Sequence, residues 1–173
     1  MTQELVPVLS QADIHERVKG LAERISDDYG PTGLIILGVL KGAFVFLADL
    51  VREISIPVRI EFIQVASYGA GMETSGEVKL IKGLEINLED RHVLVVEDII
   101  DSGLTIAYLL DHLEKMRPKS VRVCTLIDKK GRREVDIPID YVGHSVDSGF
   151  LVGYGLDYNE KYRGLPGVYH LKQ

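Results

Sequence analysis

The hydrophobic positions of this chain alternate between two periods. Apolar residues three or four positions apart predict an amphipathic helix that begins after Ser10 and ends near Gly30. The run 34–39 that follows is almost continuously apolar, which is typical of a strand buried on both faces of a sheet. A second helix over 43–53 and a strand over 58–67 repeat the order. The first third of the chain therefore predicts helices and strands in alternation.

The segment 68–83 interrupts this pattern. It carries four glycines, mixed charge and little periodicity. Loops of this length are uncommon inside compact domains and often cover a site. We therefore predict a mobile loop here, with Ser67 and Tyr68 at its start as lid residues.

The remainder of the chain returns to alternating strands and helices. This order favours an α/β domain whose mainly parallel central sheet is flanked by helices. Because no break in composition divides the chain, we predict a single domain over 1–173. Its last 25 or so residues are rich in glycine and predict a small flap. The elements predicted in this part are strands over 93–96, 121–127, 141–142 and 151–152, and a helix over 105–116.

Composition narrows the classes of partner. Of the 173 residues, 46% are hydrophobic, and 20 Lys and Arg stand against 26 Asp and Glu, a net charge of -6. Proteins that hold nucleic acids through their phosphates usually carry a basic excess, so nucleic acid is disfavoured as a partner. The single cysteine, Cys124, excludes an internal disulfide and fits a reducing compartment. No apolar run reaches membrane-spanning length and no secretory signal is visible, so we expect a cytoplasmic protein without membrane contact.

Three carboxylates follow the apolar run 93–96 within five residues: Glu97, Asp98 and Asp101. An arbitrary acidic cluster is most often a solvated turn. Here the preceding strand is wholly apolar, and ligands of parallel sheets bind beyond the carboxyl ends of the strands. We therefore expect these acids to face a ligand, a metal or a cationic group.

Small and hydroxylated residues follow the acids directly, at the start of a helix. Backbone N–H groups and the helix dipole at such a position form a cradle for phosphate. A simple helix cap would explain one hydroxyl, but it would not explain acids beside the cradle. Together they suit a ligand with a phosphate next to vicinal hydroxyls, such as a ribose 5-phosphate. The cradle residues are Ser102, Gly103, Leu104 and Thr105.

The stretch 93–105, Val-Leu-Val-Val-Glu-Asp-Ile-Ile-Asp-Ser-Gly-Leu-Thr, resembles the phosphoribosyl-pyrophosphate-binding signature of type I phosphoribosyltransferases. Matches along the rest of the chain resemble the bacterial hypoxanthine and hypoxanthine-guanine members of that family. The resemblance implies the family's α/β fold with a flap or hood. The further matches are Leu40-Lys41-Gly42, Ser67-Tyr68, Asp128-Lys129-Lys130, and 152–160 followed by Arg163.

The resemblance also implies an activity in purine salvage. A 5-phosphoribosyl group would pass from phosphoribosyl pyrophosphate to N9 of hypoxanthine, and of guanine as well, in a Mg²⁺-dependent reaction. Asp101 would be the general base that takes the purine N7 proton. Glu97 and Asp98 would lie beside the ribose hydroxyls, directly or through Mg²⁺, where their charge favours a cationic ribose.

Further roles follow from the same resemblance. The four cradle residues would hold the 5-phosphate. Because the family often has lysine or another polar residue where this chain has Leu104, the backbone amides and the two hydroxyls would carry this contact. Lys41 and Gly42, after a cis peptide bond between Leu40 and Lys41, would face pyrophosphate together with Arg163. Asp157 would serve a second Mg²⁺ site.

For the purine, the resemblance singles out Lys129. An ammonium group only donates hydrogen bonds, which suits a 6-oxo group and not the 6-amino group of adenine. Lys130 is the fallback, and a solvated loop is the ordinary alternative for both lysines. Phe150 would stack on the purine, although one aromatic residue after a glycine also fits the core. Leu151 and Asp157 would contribute backbone groups at the purine edge. The resemblance further implies a homodimer or homotetramer.

Two other classes of protein remain as alternatives. A receiver domain also places paired acids after a strand, but normally after the first one, whereas Glu97 and Asp98 lie past the midpoint. An RNA-binding regulator with the phosphoribosyltransferase fold would need a basic face, which the composition does not suggest. No GxxxxGK[ST], GxGxxG or GxSxG motif is present. The five histidines show no metal-ligand spacing, and we assign them no role.

Overall fold

A six-stranded sheet forms the centre of the protein in a computed structural model. The structure describes residues 4–68 and 77–172, and for residues 67, 68 and 77 it describes the backbone alone. The strands follow the spatial order β4-β3-β2-β5-β6-β7, and all neighbours are parallel except the edge strand β4. The predicted α/β class with a mainly parallel sheet is confirmed. The strands are β2 (Leu34–Leu40), β3 (Val58–Tyr68), β4 (Glu77–Lys82), β5 (His92–Ile100), β6 (Ser120–Lys129) and β7 (Tyr141–Val146).

Helices cover both faces of this sheet. On one face lie α1 (Gln11–Tyr29) and α2 (Phe44–Glu53), whereas α3 (Leu104–Glu114) covers the other. Side chains of β2 alternate between the two cores, with Ile36 toward α1 and α2 and Leu37 toward α3. This alternation explains the continuously apolar sequence of β2, because every side chain of the strand meets a helix layer.

The start of α1 follows the sequence closely. The Ser10 side chain accepts a hydrogen bond from the Asp13 N–H, and the Asp13 carboxylate accepts one from the Ser10 N–H. This capping box satisfies two backbone donors that otherwise lack partners at a helix start. At the other end the helix stops at Tyr29, and Gly30 follows with φ of 55°.

A second, three-stranded antiparallel sheet stands beyond the carboxyl ends of the central strands. It consists of β1 (Glu4–Leu9), β9 (Val168–Lys172) and β8 (Leu151–Val152), in that order. Together with residues 153–167 it forms the hood of the molecule. Leu151 and Val168 are buried in the core that α1 and α2 share, which attaches the hood to the main body. The hood corresponds to the flap predicted near the C-terminus.

This architecture differs from the sequence prediction in the hood and in the segment 68–83. The sequence pattern does not predict β1, an outer strand of the hood, or β9, its central strand, since each is short and their pairing joins residues distant in sequence. The predicted loop 68–83 ends earlier, because residues 77–82 form β4 against β3. Residues 69–76 lie outside the described part of the chain. In the described residues, no helix combines the length and apolar character needed to cross a membrane.

Candidate active site

The acidic pair Glu97 and Asp98 lies inside β5. The prediction ended this strand at 96, but its pairing with β6 continues to Ile100, whereas its pairing with β2 ends at Val96. The departure of β2 opens a space beside the last residues of β5. Both carboxylates are buried, each residue being 8% exposed, so the alternative of a solvated turn is wrong.

Burial raises the pKa of both carboxyl groups in this pair. Loss of solvent raises the pKa of Glu97 well above its ordinary value, and the adjacent Asp98 raises it further. Burial also raises the pKa of Asp98, although hydrogen bonds from Glu97 and from the Ile99 N–H oppose this. Neither carboxylate forms an ion pair with any described residue. The pair is therefore suited to a cation that is not part of the chain.

Two glycines allow close backbone packing beside these acids, Gly42 against Asp98 and Gly155 against Gly42. A Cβ atom added to Gly42 would lie 1.9 Å from an Asp98 carboxylate oxygen. One added to Gly155, whose φ is +98°, would lie 2.2 Å from the Gly42 carbonyl oxygen. Side chains at either position would force these layers apart. The hood, the loop after β2 and the end of β5 are thus stacked in direct contact.

The loop after β2 carries Lys41 and faces the hood. The peptide between Leu40 and Lys41 is cis, as the resemblance implied. The Lys41 ammonium lies 3.0 Å from a Glu160 carboxylate oxygen, and Arg163 lies 3.2 Å from the other oxygen of the same group. Arg163 also pairs with Asp157 at 3.1 Å. Two cations predicted to face pyrophosphate therefore share one exposed carboxylate.

The predicted phosphate cradle lies at the start of α3. Gly103 precedes the helix with φ of +87°, a conformation that favours glycine, and Ser102 accepts a hydrogen bond from the Leu104 N–H at 3.3 Å. A cavity of about 130 Å³ opens here, lined by Ser102, Gly103 and Thr105 together with Glu97 and Asp101. The Leu104 side chain is not part of this lining.

Asp101 and Lys129 form an ion pair at the centre of the site, with 2.9 Å between the Asp101 carboxylate and the Lys129 ammonium. The Lys129 side chain is only 9% exposed, so the solvated alternative is wrong for this residue, whereas Lys130 is exposed. The second carboxylate oxygen of Asp101 is buried and has no hydrogen-bond partner within residues 4–68 and 77–172. That free oxygen can accept a proton.

A second cavity, of about 230 Å³, lies on the other side of Asp101. All four residues predicted to bind the purine line it. Phe150 is 49% exposed and meets Tyr158 edge to face at 5.4 Å, so it does not fill the core. Sequence reasoning assigns no role to three other lining residues, Ile99, Arg132 and Leu156. The lining consists of Lys129, Phe150, Leu151 and Asp157 with Asp98, Ile99, Asp101, Arg132 and Leu156.

Two regions stand apart from these cavities. A larger cavity of about 620 Å³ lies between α1, α2 and Tyr154, and none of its lining residues belongs to the predicted site. The predicted lid cannot be placed, since the side chains of Ser67 and Tyr68 and the segment 69–76 lie outside the described residues. The lid stays a prediction from sequence.

Comparison with known proteins agrees with this geometry. The family model of the phosphoribosyl transferase domain matches residues 9–159. The chain belongs to the phosphoribosyl transferase family. A hypoxanthine-guanine phosphoribosyltransferase of Aquifex aeolicus is 47% identical over 168 residues, covering 96% of this chain and 94% of the relative. A hypoxanthine phosphoribosyltransferase of Salmonella typhimurium is 43% identical over 163 residues, covering 93% and 92%.

A crystal structure shows the same likeness in three dimensions. It is that of a hypoxanthine-guanine phosphoribosyltransferase from Bacillus anthracis, which superimposes with a TM-score of 0.92 at 43% identity and covers 99% of this chain and 100% of that one. The family resemblance deduced from the motif at 93–105 is thereby confirmed. In this phosphoribosyl transferase the signature spans nearly all of β5 and the start of α3, and its last residues line the two cavities.

Proposed function

We propose that this phosphoribosyl transferase acts in purine salvage. It transfers the 5-phosphoribosyl group of phosphoribosyl pyrophosphate to N9 of hypoxanthine, and also of guanine, giving the nucleotide and pyrophosphate. The names of its relatives support the substrate class. The observation that carries the proposal is the position of Asp101, which lines both the cavity at the phosphate cradle and the cavity with the predicted purine-binding residues.

The reaction needs one proton acceptor between these cavities. The purine N9 electron pair forms the bond to the anomeric carbon while the bond to pyrophosphate breaks and its electrons leave with pyrophosphate. The N7 proton passes to the free carboxylate oxygen of Asp101. Glu97 and Asp98 lie on the same strand end, where negative charge stabilises the cationic ribose of the transition state.

The same acids fit a divalent cation. Glu97 and Asp98 are buried without a cationic partner in the described residues, and loss of solvent raises their pKa values, so a cation there would restore the ionised forms. No group of three potential ligands is formed by the described residues alone. This suits Mg²⁺, which keeps waters and takes substrate oxygens as ligands. Mg²⁺ would neutralise the leaving pyrophosphate, and Asp157 would contribute to a second site.

Lys129 accounts for the choice of purine. Lys129 lines the purine cavity, and its ammonium pairs with the Asp101 carboxylate at 2.9 Å. A 6-oxo group at this position accepts a hydrogen bond from the ammonium, whereas a 6-amino group presents a second donor. Phe150 is exposed beside the same cavity, where its ring can stack on a purine.

The proposal includes a cytoplasmic homodimer or homotetramer. The chain has one cysteine and hence no internal disulfide. Three large apolar side chains, Phe44, Ile60 and Phe62, are between 37% and 47% exposed. Phe62 approaches Gly38 from the same side as Leu47 of α2, so these side chains share one side of the sheet. Light scattering tests the assembly: wild type should have two or four times the mass of one chain, and Ile60→Lys should lower it.

Initial rates with single purines test the activity. At fixed phosphoribosyl pyrophosphate and Mg²⁺ we expect turnover of hypoxanthine and guanine and none of adenine. The variant Lys129→Gln should lower kcat/KM for hypoxanthine about 10- to 100-fold, since a buried charge-assisted hydrogen bond is lost. The exposed Lys119, which precedes the opposite end of β6, provides the matched control Lys119→Gln. Turnover of adenine without turnover of hypoxanthine would contradict the assignment of Lys129.

A further inference from the structure

The connection between β6 and β7, residues 130–140, carries a run of charges that the sequence suggests is solvated. The structure shows a different arrangement for one of them. The Arg133 side chain is 21% exposed and turns inward to the site. An arginine that leaves water at the edge of an active site must find acceptors for its five N–H donors there.

The acceptors of Arg133 belong to both functional strand ends. Its Nε donates to the carbonyl oxygen of Asp101 at 2.9 Å, and its guanidinium pairs with the Asp128 carboxylate at 2.5 Å. Longer contacts, both 3.4 Å, reach the carbonyl oxygens of Ile100 and Lys129. One side chain therefore joins the backbone of the predicted base to the backbone of the predicted purine-selecting lysine.

Backbone contacts of the same connection reinforce this link. The N–H groups of Glu134 and Val135 both donate to the Ser102 carbonyl oxygen, at 2.9 and 3.2 Å. A Cβ atom added to Gly103 would lie 2.8 Å from the Val135 carbonyl oxygen and 3.2 Å from the Arg133 side chain. The connection thus packs directly on the loop that carries the base and begins the phosphate cradle.

We propose that Arg133 is a positioning residue for catalysis and purine binding. It holds the loop of Asp101 at the end of β6, and so fixes the Asp101 carboxylate relative to the Lys129 ammonium. The inference rests on the proposed function, because it assigns Arg133 a role only through those two residues. Arg133 does not line either cavity, so it acts without touching the substrates.

The chemistry of the side chain matches this role. A guanidinium is planar and rigid, and it donates in several directions at once, so it can serve two carbonyl groups and a carboxylate together. The single charged head of lysine can keep the ion pair with Asp128 but cannot also reach the Asp101 carbonyl in the same geometry. Asp128 is itself buried, so removal of Arg133 leaves it as an unpaired charge.

Three variants separate positioning from simple destabilisation. Arg133→Ala removes the link, and Arg133→Lys keeps the charge. The double variant Arg133→Ala with Asp128→Asn also removes the unpaired carboxylate, so it should fold better than Arg133→Ala while its link stays broken. Arg59→Ala, at an exposed arginine on β3, is the matched control. Circular dichroism and thermal unfolding report the folded fraction of each.

We expect kcat and KM for hypoxanthine to change while the dissociation constant for phosphoribosyl pyrophosphate does not. In folded Arg133→Ala and in the double variant, kcat should fall about 30- to 100-fold and KM for hypoxanthine should rise about tenfold, because small displacements of catalytic groups are costly. The dissociation constant for phosphoribosyl pyrophosphate, from calorimetry with Mg²⁺, should stay within about threefold. Added guanidinium should restore part of the Arg133→Ala rate, and Arg133→Lys should be intermediate.

Opposite outcomes overturn the inference. If folded Arg133→Ala keeps wild-type kcat and KM, Arg133 has no positioning role. If the double variant regains both stability and activity, the defect came from the unpaired Asp128 alone. If phosphoribosyl pyrophosphate binding falls together with kcat, the residue supports the whole site and not the pair of Asp101 and Lys129. Absence of hypoxanthine turnover in wild type would instead refute the proposed function.

Discussion

The two ends of the central sheet differ in how far their charged side chains are paired within the chain. At the amino end, the Asp28 carboxylate accepts hydrogen bonds from Tyr141 at 2.6 Å and from Arg122 at 2.9 Å. Arg122 also donates to the Tyr141 hydroxyl and lies over the Tyr29 ring. Each charge in this cluster meets its complement within the chain.

At the carboxyl end of the sheet, the described residues do not pair all of their buried carboxylates. Glu97 and Asp98 are buried together and form no ion pair in the described part of the chain, although the charge of Arg163 helps to lower the pKa of Asp98, which burial raises. One Asp101 oxygen has no hydrogen-bond partner among the described residues. On the opposite side of the site, Lys41 and Arg163 both pair with Glu160, and Arg163 also pairs with Asp157. The difference teaches that the end built for stability pairs its charged groups within the chain, whereas the end built for binding leaves buried carboxylates for a ligand.

The largest expected effect comes from removing the unpaired proton acceptor. Asp101→Asn keeps the shape of the side chain and a hydrogen bond to Lys129, but an amide cannot take the purine N7 proton. We expect kcat to fall by about 100-fold or more, with binding of phosphoribosyl pyrophosphate retained. Rates with hypoxanthine and calorimetry measure the two quantities. Asp111→Asn, in an exposed pair on α3, is the control, and a wild-type rate in Asp101→Asn would exclude Asp101 as the base.

A smaller loss should follow from crowding the acidic pair. The methyl group of Gly42→Ala would lie 1.9 Å from the Asp98 carboxylate in the present geometry, so loop and strand must separate. We expect kcat/KM for phosphoribosyl pyrophosphate to fall about tenfold. Gly20→Ala in α1, where an added Cβ meets nothing within 4 Å, should leave kinetics unchanged. Equal kinetics in the two variants would show that the contact is unimportant.

Weakening the shared carboxylate should act in the other direction. Glu160→Gln frees Lys41 and Arg163 from a competing negative charge, so KM for phosphoribosyl pyrophosphate should fall about two- to fivefold, and inhibition by pyrophosphate should strengthen similarly. Steady-state kinetics at low salt measure both. Glu89→Gln removes an exposed pair with Arg117 far from the site and provides the control. A higher KM in Glu160→Gln would mean that Glu160 assists binding.

Substitutions in the Asp28 cluster at the amino end of the sheet should affect stability and not activity. The Tyr141 hydroxyl, and then Arg122, lower the pKa of Asp28, so this carboxylate stabilises the fold above the unfolded pKa, and the gain is lost as pH falls through the folded pKa. Because solvent screens this half-exposed carboxylate, Asp28→Asn should cost no more than about 1 kcal/mol at pH 7 and progressively less below about pH 4. Urea unfolding at several pH values measures this. The exposed neighbour gives the control Asp27→Asn, and a cost independent of pH would contradict the account.

Local signals predicted much of the fold. The capping box at Ser10, the apolar run of β2 and the acids after 96 are features of a few consecutive residues, and the structure keeps each of them. The extension of β5 to Ile100 could not be predicted in this way. It depends on β6, which continues to pair after β2 has turned away, and that is decided by neighbours in space.

The site was predictable to a similar degree and for the same reason. The site residues at strand ends, such as Asp101 and Lys129, could be predicted because parallel strands bring their carboxyl ends together. Arg133 was not, since a charged residue in a connection normally faces solvent and only the packing of 130–140 on the loop turns it inward. The role of Gly155 could not be predicted either, because it depends on the contact between the hood and the Gly42 carbonyl oxygen.

The hood also constrains when the site can exist during synthesis. In the described part of the chain, its first strand, Glu4–Leu9, pairs with Val168–Lys172, which is synthesised much later than Glu4–Leu9. Leu151 of the purine cavity belongs to the strand that pairs with the other side of that same late segment. Closing so long a loop is slow compared with forming the helices. The nascent chain can therefore build its central sheet first, but the purine cavity closes only after Val168–Lys172 has been synthesised and is free to pair.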